Sequence, residues 1–414
     1  MPPALSLLTS RRDFRYLFLA QIVMFGGDWF ALIPLISLLQ SLTGSGLPGA
    51  IALAADTTVG AVVLPFAGVL ADRMNRRTLM VVANCGTIVA VGLLFGVHSA
   101  STAWLGPVAI GLAAMAKSLY SPAASAALPN VVRPQELATA NAVAGSTWGV
   151  MAVVAASLGG VLSQVLSPYA CFAIDLGCLA VAALLVLLIR RPLQAAREGA
   201  ERRVARPVRD VVEALRFIRQ RPRVASLVTV KSAVGLGNGV LAIYPVLAAT
   251  VFGLGSTATG LLFAARGLGA LVGPFLFARI LARRELLMPG LALSMLAYGA
   301  AYLVIAVTPW FWLVLVVVAF AHLAGGGNWV MSNYALQVEV PDALRGRVAA
   351  TDLMIVSVAI SASMLVSGAL VDHVGARWVL ALCGGLTLVY GVCWRLVTRR
   401  LLRGTAALAP EPAV

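Results

Sequence analysis

The chain has 414 residues, of which 60% are hydrophobic and 11% are charged, and its formal net charge is +15. A soluble protein of this length could not place so much apolar side chain inside one core, which excludes an ordinary soluble domain and indicates that lipid is the solvent. In a soluble protein the positive charge would suggest a nucleic-acid partner, so the positions of the basic residues decide what the charge means.

Long apolar segments follow one another along the whole chain. A helix needs about 20 apolar residues to cross the hydrocarbon layer, so twelve spans fit this length and leave room for short loops. The sequence therefore predicts an all-α polytopic membrane protein with twelve transmembrane helices. The predicted spans are 14–42, 47–71, 78–98, 103–128, 138–165, 168–190, 224–252, 256–280, 286–307, 310–335, 348–371 and 376–398.

The lysine and arginine residues are concentrated on one side of the predicted membrane. With a cytoplasmic N-terminus, 27 of the 31 basic residues fall in inside segments; the other four are Arg377 on the outside and Lys117, Lys231 and Arg266 within spans. This bias predicts a multi-pass protein of the inner (cytoplasmic) membrane with both termini in the cytoplasm. The positive charge then reflects topology, and we expect no nucleic-acid partner.

The longest predicted loop, residues 190–223, divides the chain into two halves and carries eleven arginines. Its apolar residues from Val208 to Ile218 fall on one helical face, which predicts an amphipathic helix on the inner membrane surface, although the loop could also be a passive tether. The predicted domains are a six-helix bundle at 1–189, this cytoplasmic linker at 190–223, a second six-helix bundle at 224–404 and a cytoplasmic tail at 405–414.

The two halves resemble each other in sequence. Residues 54–73 align with 264–284 with one gap, and 128–137 align with 336–344, both at an offset of about 207–210 residues. We infer an internal duplication that produces two pseudo-symmetric bundles. Transporters built from two parallel six-span repeats place their binding site near the membrane midplane, between the repeats.

The loop between the second and third predicted spans reads Gly68-Val-Leu-Ala-Asp72-Arg73-Met-Asn-Arg76-Arg77. It resembles the signature of the major facilitator superfamily in both its residues and its position. The resemblance implies the major facilitator fold, and it implies that Asp72, Arg73, Arg76 and Arg77 form a gating motif that stabilises one end of an alternating-access cycle. We expect Gly68 to permit close helix approach and the arginines to anchor at the headgroups. The alternative is an ordinary basic loop.

Short segments elsewhere resemble the bacterial drug and siderophore exporter branch of that superfamily. They are Phe14-Arg15-Tyr16-Leu17 leading to Gly26-Gly27-Asp28-Trp29, and Ser121-Pro122-Ala123 followed by Leu128-Pro129-Asn130. This resemblance implies efflux by a proton-coupled antiporter and a role in drug resistance. The fifth span departs from the pattern, because it has glycines but lacks the Gly-Pro pair that marks many proton-driven antiporters.

Six ionisable residues lie well inside the predicted spans: Asp28, Asp56, Lys117, Asp175, Lys231 and Arg266. Insertion scales put one charge at the membrane centre at about 2.5–3.5 kcal/mol, so six unpaired charges would together exceed the ~5–15 kcal/mol by which a typical protein is stable. These groups must therefore face a wet cavity, pair with one another or, in the case of the acids, hold a proton.

Asp28 and Lys117 each lie about fourteen residues into a span, which places both near the midplane. The resemblance implies that these two helices line the transport cavity. We expect Asp28 to be the leading proton-coupling carboxylate, with Lys117 controlling its affinity for the proton. The alternative is a fixed structural ion pair.

Asp56 and Arg266 occupy equivalent positions in the duplicated segments and have opposite charges. We expect them to face the central cavity from opposite halves, where they could hold a substrate that carries both signs. Pairing of each residue with other groups inside its own half is the alternative.

For four further residues, a structural role competes with a functional one. Lys231 and His322 are candidates for the cavity and the proton path, although a lysine in the inner half of a span can reach cytoplasmic water and a lone histidine usually packs in a neutral, hydrogen-bonded state. Asp175 is expected to make a structural hydrogen bond. Asp352 is expected to cap its helix or to meet the loop that contains Arg73.

Together these features predict a secondary transporter that exports a small amphipathic compound, a drug or siderophore-like metabolite, by alternating access coupled to protons. We expect no enzymatic activity, cofactor or metal, because no nucleophile-and-base set, phosphate loop or metal-ligand spacing stands out. We also expect a monomer. One alternative is a transporter of a lysophospholipid or another lipid. Another is a non-transporting membrane receptor or assembly protein, which would have no evident use for several charges at cavity depth.

Overall fold

The computed structural model describes residues 3–194, 207–281 and 284–402, and every regular element in these ranges is helical. Eleven of the described helical segments are long and apolar enough to cross a membrane. A further helix, Leu137–Val165, contains the shorter apolar stretch Gly149–Val165. The prediction of an all-α polytopic membrane protein is confirmed, whereas the count of twelve spans stays a prediction.

The helices follow one another with short connections. In chain order they are α1 (Pro3–Ser10), α2 (Arg12–Thr43), α3 (Leu47–Arg73), α4 (Arg76–Gly92), α5 (Leu105–Val131), α6 (Leu137–Val165), α7 (Pro168–Leu187), α8 (Pro207–Gln220), α9 (Pro222–Gly237), α10 (Tyr244–Val246), α11 (Ser256–Leu281), α12 (Arg284–Val307), α13 (Phe311–Glu339), α14 (Asp342–Val374) and α15 (Ala376–Leu402). A 3₁₀ turn, Asn238–Ile243, and a π turn, Leu247–Val251, flank α10, so that α9 through Val251 forms one apolar segment.

Local sequence explains where several helices begin and end. The side chain of Asn75 accepts hydrogen bonds from the backbone N–H groups of Arg77 and Thr78 and so caps α4. Ser167 caps α7 in the same way by accepting from the N–H of Ala170 at 3.1 Å. Gly44 ends α2 in the left-handed conformation, with φ of 68°, which glycine adopts without steric cost.

The long helices form a first group, α2 to α7, and a second group, α9 to α15. Within the first, α2 packs on α6 and α7, and α5 packs on α3 and α4; within the second, α13 packs on α11 and α12, and α14 on α9. The groups meet where α3 packs on α14 and α6 on α11. Because the sequence duplication equates α3 with α11 and α6 with α14, these two contacts are equivalent under the pseudo-symmetry.

The groups make close contacts at the end of the bundle that holds the α2–α3, α6–α7 and α14–α15 connections, which we call the distal end. A β-carbon on Gly160 would lie 2.8 Å from the α-carbon of Gly260, so α6 and α11 meet backbone to backbone. Asp372 accepts hydrogen bonds from the hydroxyl of Ser45 at 2.5 Å and the N–H of Gly46 at 3.1 Å. The distal end is therefore closed by contacts between the two groups.

Helix α8 lies inside the segment predicted to be a linker. It packs on α9 and α14, burying Ala214 and Ile218, and its Glu213 accepts a hydrogen bond from Arg347 at 2.7 Å. The rest of the predicted linker between residues 195 and 206, and the predicted tail at 405–414, lie outside the described residues. That α8 rests on the membrane surface stays a prediction.

Candidate functional site

A cavity of about 480 Å³ lies between the two helix groups. Five of its lining residues are charged types, and four of them come from different helices of the first group, whereas one comes from the second. These are Asp28 on α2, Asp56 on α3, Lys117 on α5, Asp175 on α7 and Arg266 on α11. The sequence predicted a common cavity for Asp28, Asp56, Lys117 and Arg266, and the fold brings these four together.

Lys117 is the centre of the charged cluster. Its Nζ lies 3.2 Å from Oδ1 of Asp28 and 3.8 Å from Oδ1 of Asp56. The side chains of Lys117 and Asp28 are 19% and 21% exposed, whereas that of Asp56 is 40% exposed. The ammonium of Lys117 therefore contacts two carboxylates. Asp56 has the longer contact and the greater exposure, so it is more available to another cation.

Asp175 lines the same cavity but has a different environment. The residue is fully buried, and neither carboxylate oxygen has a hydrogen-bond partner among the described residues. The expectation that Asp175 makes a structural hydrogen bond is therefore wrong for this conformation. Helix α7 packs against α2, and Asp175 lies at this contact on the lining of the cavity.

Aromatic rings connect the two sides of the cavity near Arg266. The rings of Trp29 and Phe263 lie 5.7 Å apart, and those of Phe263 and Tyr244 lie 5.2 Å apart. Phe263 is three residues before Arg266, hence on a neighbouring part of the same helix surface. Trp329 also lines the cavity. None of these rings was predicted from the sequence to lie there.

Asn238 is a cavity residue that the repeat could have revealed. It follows Asp28 by 210 residues, the same separation as between Asp56 and Arg266. Asn238 lines the cavity from the second group and accepts a hydrogen bond from the hydroxyl of Tyr298 at 3.0 Å. The position equivalent to Asp28 thus carries a neutral polar group.

Lys231 is not among the lining residues of the central cavity, which corrects its predicted assignment. Its ammonium forms an ion pair with Asp352, donates to Oδ1 of Asn333 at 2.7 Å and lies 5.0 Å from the ring centre of Trp329. The side chains of Lys231 and Asp352 are only 2% and 3% exposed. Lys231 therefore projects from α9 towards α13 and α14, and Asp352 pairs with it rather than capping α14. The expected contact of Asp352 with the loop of Arg73 lies outside what the structure describes.

His322 also lies away from the lining of the central cavity, which corrects its predicted place there. Its Nε2 is 2.8 Å from the hydroxyl of Tyr302, and that hydroxyl is 2.8 Å from the hydroxyl of Tyr244. All three residues are buried. The histidine belongs to a hydrogen-bonded network inside the second group of helices, as expected for a packing residue.

The predicted gating motif contacts the beginning of the linker. Arg76 donates to the backbone oxygens of Ala126 at 2.6 Å and Leu193 at 3.0 Å, and Arg77 donates to the oxygen of Arg191 at 3.1 Å. Among the described residues, nothing lies within 4 Å of a β-carbon built on Gly68, so the expected close helix approach is not observed there. The side chains of Asp72 and Arg73 lie outside what the structure describes, and their gating roles stay predictions.

Comparison with known sequences identifies relatives across most of the chain. The family model described as Major Facilitator Superfamily matches residues 17–350 and, in a second match, 232–413. The enterobactin exporter EntS of Citrobacter koseri is 26% identical over 350 residues, which cover 83% of this chain and 82% of that protein. An uncharacterized MFS-type transporter of Mycobacterium tuberculosis is 30% identical over 367 residues, covering 81% and 79% respectively.

Comparison with solved structures supports the same fold at much lower identity. A bacterial homologue of the human lysosomal transporter Spinster, in an inward-facing and unoccupied conformation, has a TM-score of 0.71 at 15% identity over 98% of this chain and 99% of that chain. A POT family transporter in complex with 5-aminolevulinic acid has a TM-score of 0.74 at 10% identity over 95% and 97%. At these identities the likeness concerns the fold alone.

Proposed function

We propose that this chain, which belongs to the Major Facilitator Superfamily and is a membrane transporter rather than an enzyme, exports a small amphipathic compound in exchange for protons. The observation that carries this proposal is the ion-pair cluster in which the ammonium of Lys117 contacts both Asp28 and Asp56. The cluster lines the cavity between the two helix groups, where an alternating-access carrier binds its substrate.

The cluster offers a direct route to coupling. A proton on Asp28 would cancel its charge and weaken its hold on Lys117, whose ammonium could then turn towards Asp56 alone. A cationic substrate group competing for Asp56 would act on the same balance. Proton and substrate would thus compete for carboxylates around one lysine, which is the relation that an antiporter requires.

The substrate proposed from the cavity is amphipathic and carries charge of both signs. Asp56 and Arg266 present opposite charges from opposite helix groups, while Trp29, Phe263 and Trp329 provide apolar surface. With the termini in the cytoplasm, the closed distal end is the outer end, so an alternating-access carrier in this conformation would open its cavity inward. Such a state receives substrate from the cytoplasm, and the similarity to an enterobactin exporter supports the outward direction of transport.

Reconstitution into liposomes tests this function. Purified protein with an imposed pH gradient should move a labelled substrate, chosen from cationic drugs, zwitterionic dyes, siderophores and lysophospholipids by its ability to raise the thermal unfolding temperature. Asp28→Asn should bind the same compound but lose the dependence of transport on the gradient. Glu285→Gln, an exposed carboxylate at the start of α12, serves as the matched control.

Three results would count against the proposal. Transport by Asp28→Asn that follows the pH gradient as the wild type does would remove Asp28 from the coupling. Stabilisation and transport of lysophospholipids alone would favour the alternative of a lipid transporter, and wild-type behaviour after neutralising the whole cluster would favour a non-transporting protein.

A further inference from the structure

A second cavity, of about 240 Å³, lies among α2, α5 and α6 within the first group of helices. Phe25 and Ser121 line both this cavity and the central one, so the second cavity adjoins the first. We call it the side branch. From Phe25 and Ser121 it extends towards Leu128 and Asn141, which lie near the end of the bundle opposite the distal end.

The side branch has an aromatic lining without charge. Phe14, Phe18 and Phe25 contribute rings, and those of Phe14 and Phe18 are stacked with centres 6.0 Å apart. Every described residue that lines the branch has an uncharged side chain. An ionised group bound there would lose its hydration without meeting a counter-charge, so the lining selects an uncharged group. Rings of this kind favour a planar aromatic partner.

Tyr120 adds a hydrogen-bonding requirement. It lines the branch and is fully buried, and its hydroxyl has no hydrogen-bond partner among the described residues. Buried hydroxyls are normally paired, because an unpaired one gives up its bonds to water without replacement. That hydroxyl has almost no accessible surface in this conformation, so a bound group with a hydroxyl or carbonyl oxygen would pair with it after a shift of the side chains around it.

The amides at the rim of the branch offer the complementary acceptors. Gln21 donates through Nε2 to the backbone oxygen of Ala144 at 3.4 Å, and Asn141 donates through Nδ2 to the oxygen of Leu137 at 2.9 Å. Their side-chain oxygens keep acceptor capacity. The branch can therefore both donate a hydrogen bond to a ligand and accept one from it.

The branch is accessible and large enough for a substituted ring. Asn141 and Ser125 are exposed, so the branch reaches the surface at their end rather than forming a sealed void. Its volume exceeds the roughly 150 Å³ that suffice to hold a benzene molecule in a protein interior. A ring with a polar substituent fits these dimensions.

We propose that the side branch binds an uncharged aromatic ring carrying a hydroxyl or carbonyl group, and that the same ligand places a charged end beside the cluster of Asp28, Asp56 and Lys117. This inference names a class of compound for the central site and rests on the proposed function. It requires that the two ends of one ligand occupy the two cavities together.

A series of three amines tests the side branch. Ethylamine supplies the ammonium alone, phenethylamine adds the ring, and tyramine adds a phenol hydroxyl to that ring. Calorimetric titration of the wild-type protein should give affinities in that rising order. The ring should raise affinity about 10- to 100-fold, as expected for burying an aromatic group, and the hydroxyl a further two- to tenfold or so.

Two variants separate the ring from the hydroxyl. Tyr120→Phe removes only the unpaired hydroxyl and should abolish the preference for tyramine over phenethylamine, with Tyr334→Phe on α13 as the matched control. Ala124→Leu should fill the branch and reduce the affinity of both aromatic amines towards that of ethylamine. If Ala124→Leu does not fold, Tyr120→Phe still decides, because it removes no hydrogen bond made by the described residues.

The outcomes are distinct for the branch and for transport. Failure of tyramine to bind the wild type, or an unchanged ratio of tyramine to phenethylamine affinity in Tyr120→Phe, overturns the side branch. If Tyr120→Phe loses the preference for tyramine but the wild-type protein does not move its substrate along a pH gradient in liposomes, binding in the side branch is supported. The proposed proton coupling is then overturned.

Discussion

Gly27 lies so close to Asp175 that a β-carbon on residue 27 would clash with the carboxylate oxygen Oδ1 and would fall 3.1 Å from the β-carbon of Cys178. The missing side chain lets α2 and α7 approach with the carboxylate of Asp175 held between them. Because Asp28 is the next residue, this contact puts carboxylates of neighbouring helices on one cavity wall.

Gly27→Ala is expected to destabilise the protein. The added methyl group must displace a buried carboxylate or separate the two helices, which should lower the free energy of unfolding by about 1–3 kcal/mol. Thermal unfolding of the purified protein in detergent measures the change. Gly177→Ala lies on the same helix as Asp175, and no described residue comes within 4 Å of its added β-carbon, so it should be neutral or stabilising. Equal losses in the two variants would show that the contact with Asp175 is not responsible.

Asp175→Asn is expected to change stability little. Neither carboxylate oxygen has a partner among the described residues, so a neutral group of the same shape removes no hydrogen bond, and the change should stay within about 1 kcal/mol. Asp352→Asn is the control, because that carboxylate holds Lys231. If Asp175→Asn destabilises as strongly as Asp352→Asn in chemical unfolding, then Asp175 has a partner and our description is wrong.

Lys231→Met should be severely destabilising, by about 3–5 kcal/mol, because it leaves the carboxylate of Asp352 buried without its counter-charge. The double variant Lys231→Met/Asp352→Leu should recover most of that loss. A double-mutant cycle on unfolding measures the coupling. Glu213→Gln, which breaks the exposed pair with Arg347, should cost less than about 1 kcal/mol, and additive losses at Lys231 and Asp352 would disprove the buried pair.

Protonation of Glu136 should make the stability of the protein depend on pH in the acid range. Its side chain accepts hydrogen bonds from Arg11 at 2.9–3.1 Å and one from the N–H of Arg133 at 2.9 Å, and these hold the pKa of Glu136 below its usual value of 4.5. Stabilisation by the carboxylate is then fully present above pH 4.5 and disappears as the pH falls through the lowered pKa.

The corresponding variant is Glu136→Gln. It should unfold at a lower temperature than the wild type at neutral pH, and the difference should shrink in acid. Glu285→Gln, at an exposed carboxylate, is the comparison for removing a surface charge. A difference for Glu136→Gln that is the same at every pH would show that the charge of Glu136 is not responsible.

The sequence predicted the helical fold and the charged part of the cavity for one physical reason. Apolar runs of sufficient length have few alternatives to membrane helices, and charges such as Asp28 and Lys117 are costly in such helices unless they meet a cavity or each other. The duplication added Arg266 as the counterpart of Asp56. These inferences depend on chain position and charge, which the sequence states directly.

The positions of Lys231, His322 and Asp175 were harder to predict because depth along a span does not determine which face of the helix a residue occupies. Lys231 is at a plausible depth for the cavity, yet it points at Asp352 across the neighbouring helices. Asp175 reaches the cavity only because a glycine on α2 admits it. Such contacts depend on how helices rotate and pack, which hydropathy does not encode.

Asp56 and Arg266 occupy equivalent positions in the two halves and carry opposite charges, which affects how a ligand can be oriented in the cavity. Two identical halves would form a cavity with twofold symmetry, in which a molecule could bind equally well in either of two orientations. Opposite charges at equivalent positions make those orientations unequal, because reversing the molecule would bring like charges together. The cavity therefore has an electrostatic polarity from one half to the other that the backbone lacks.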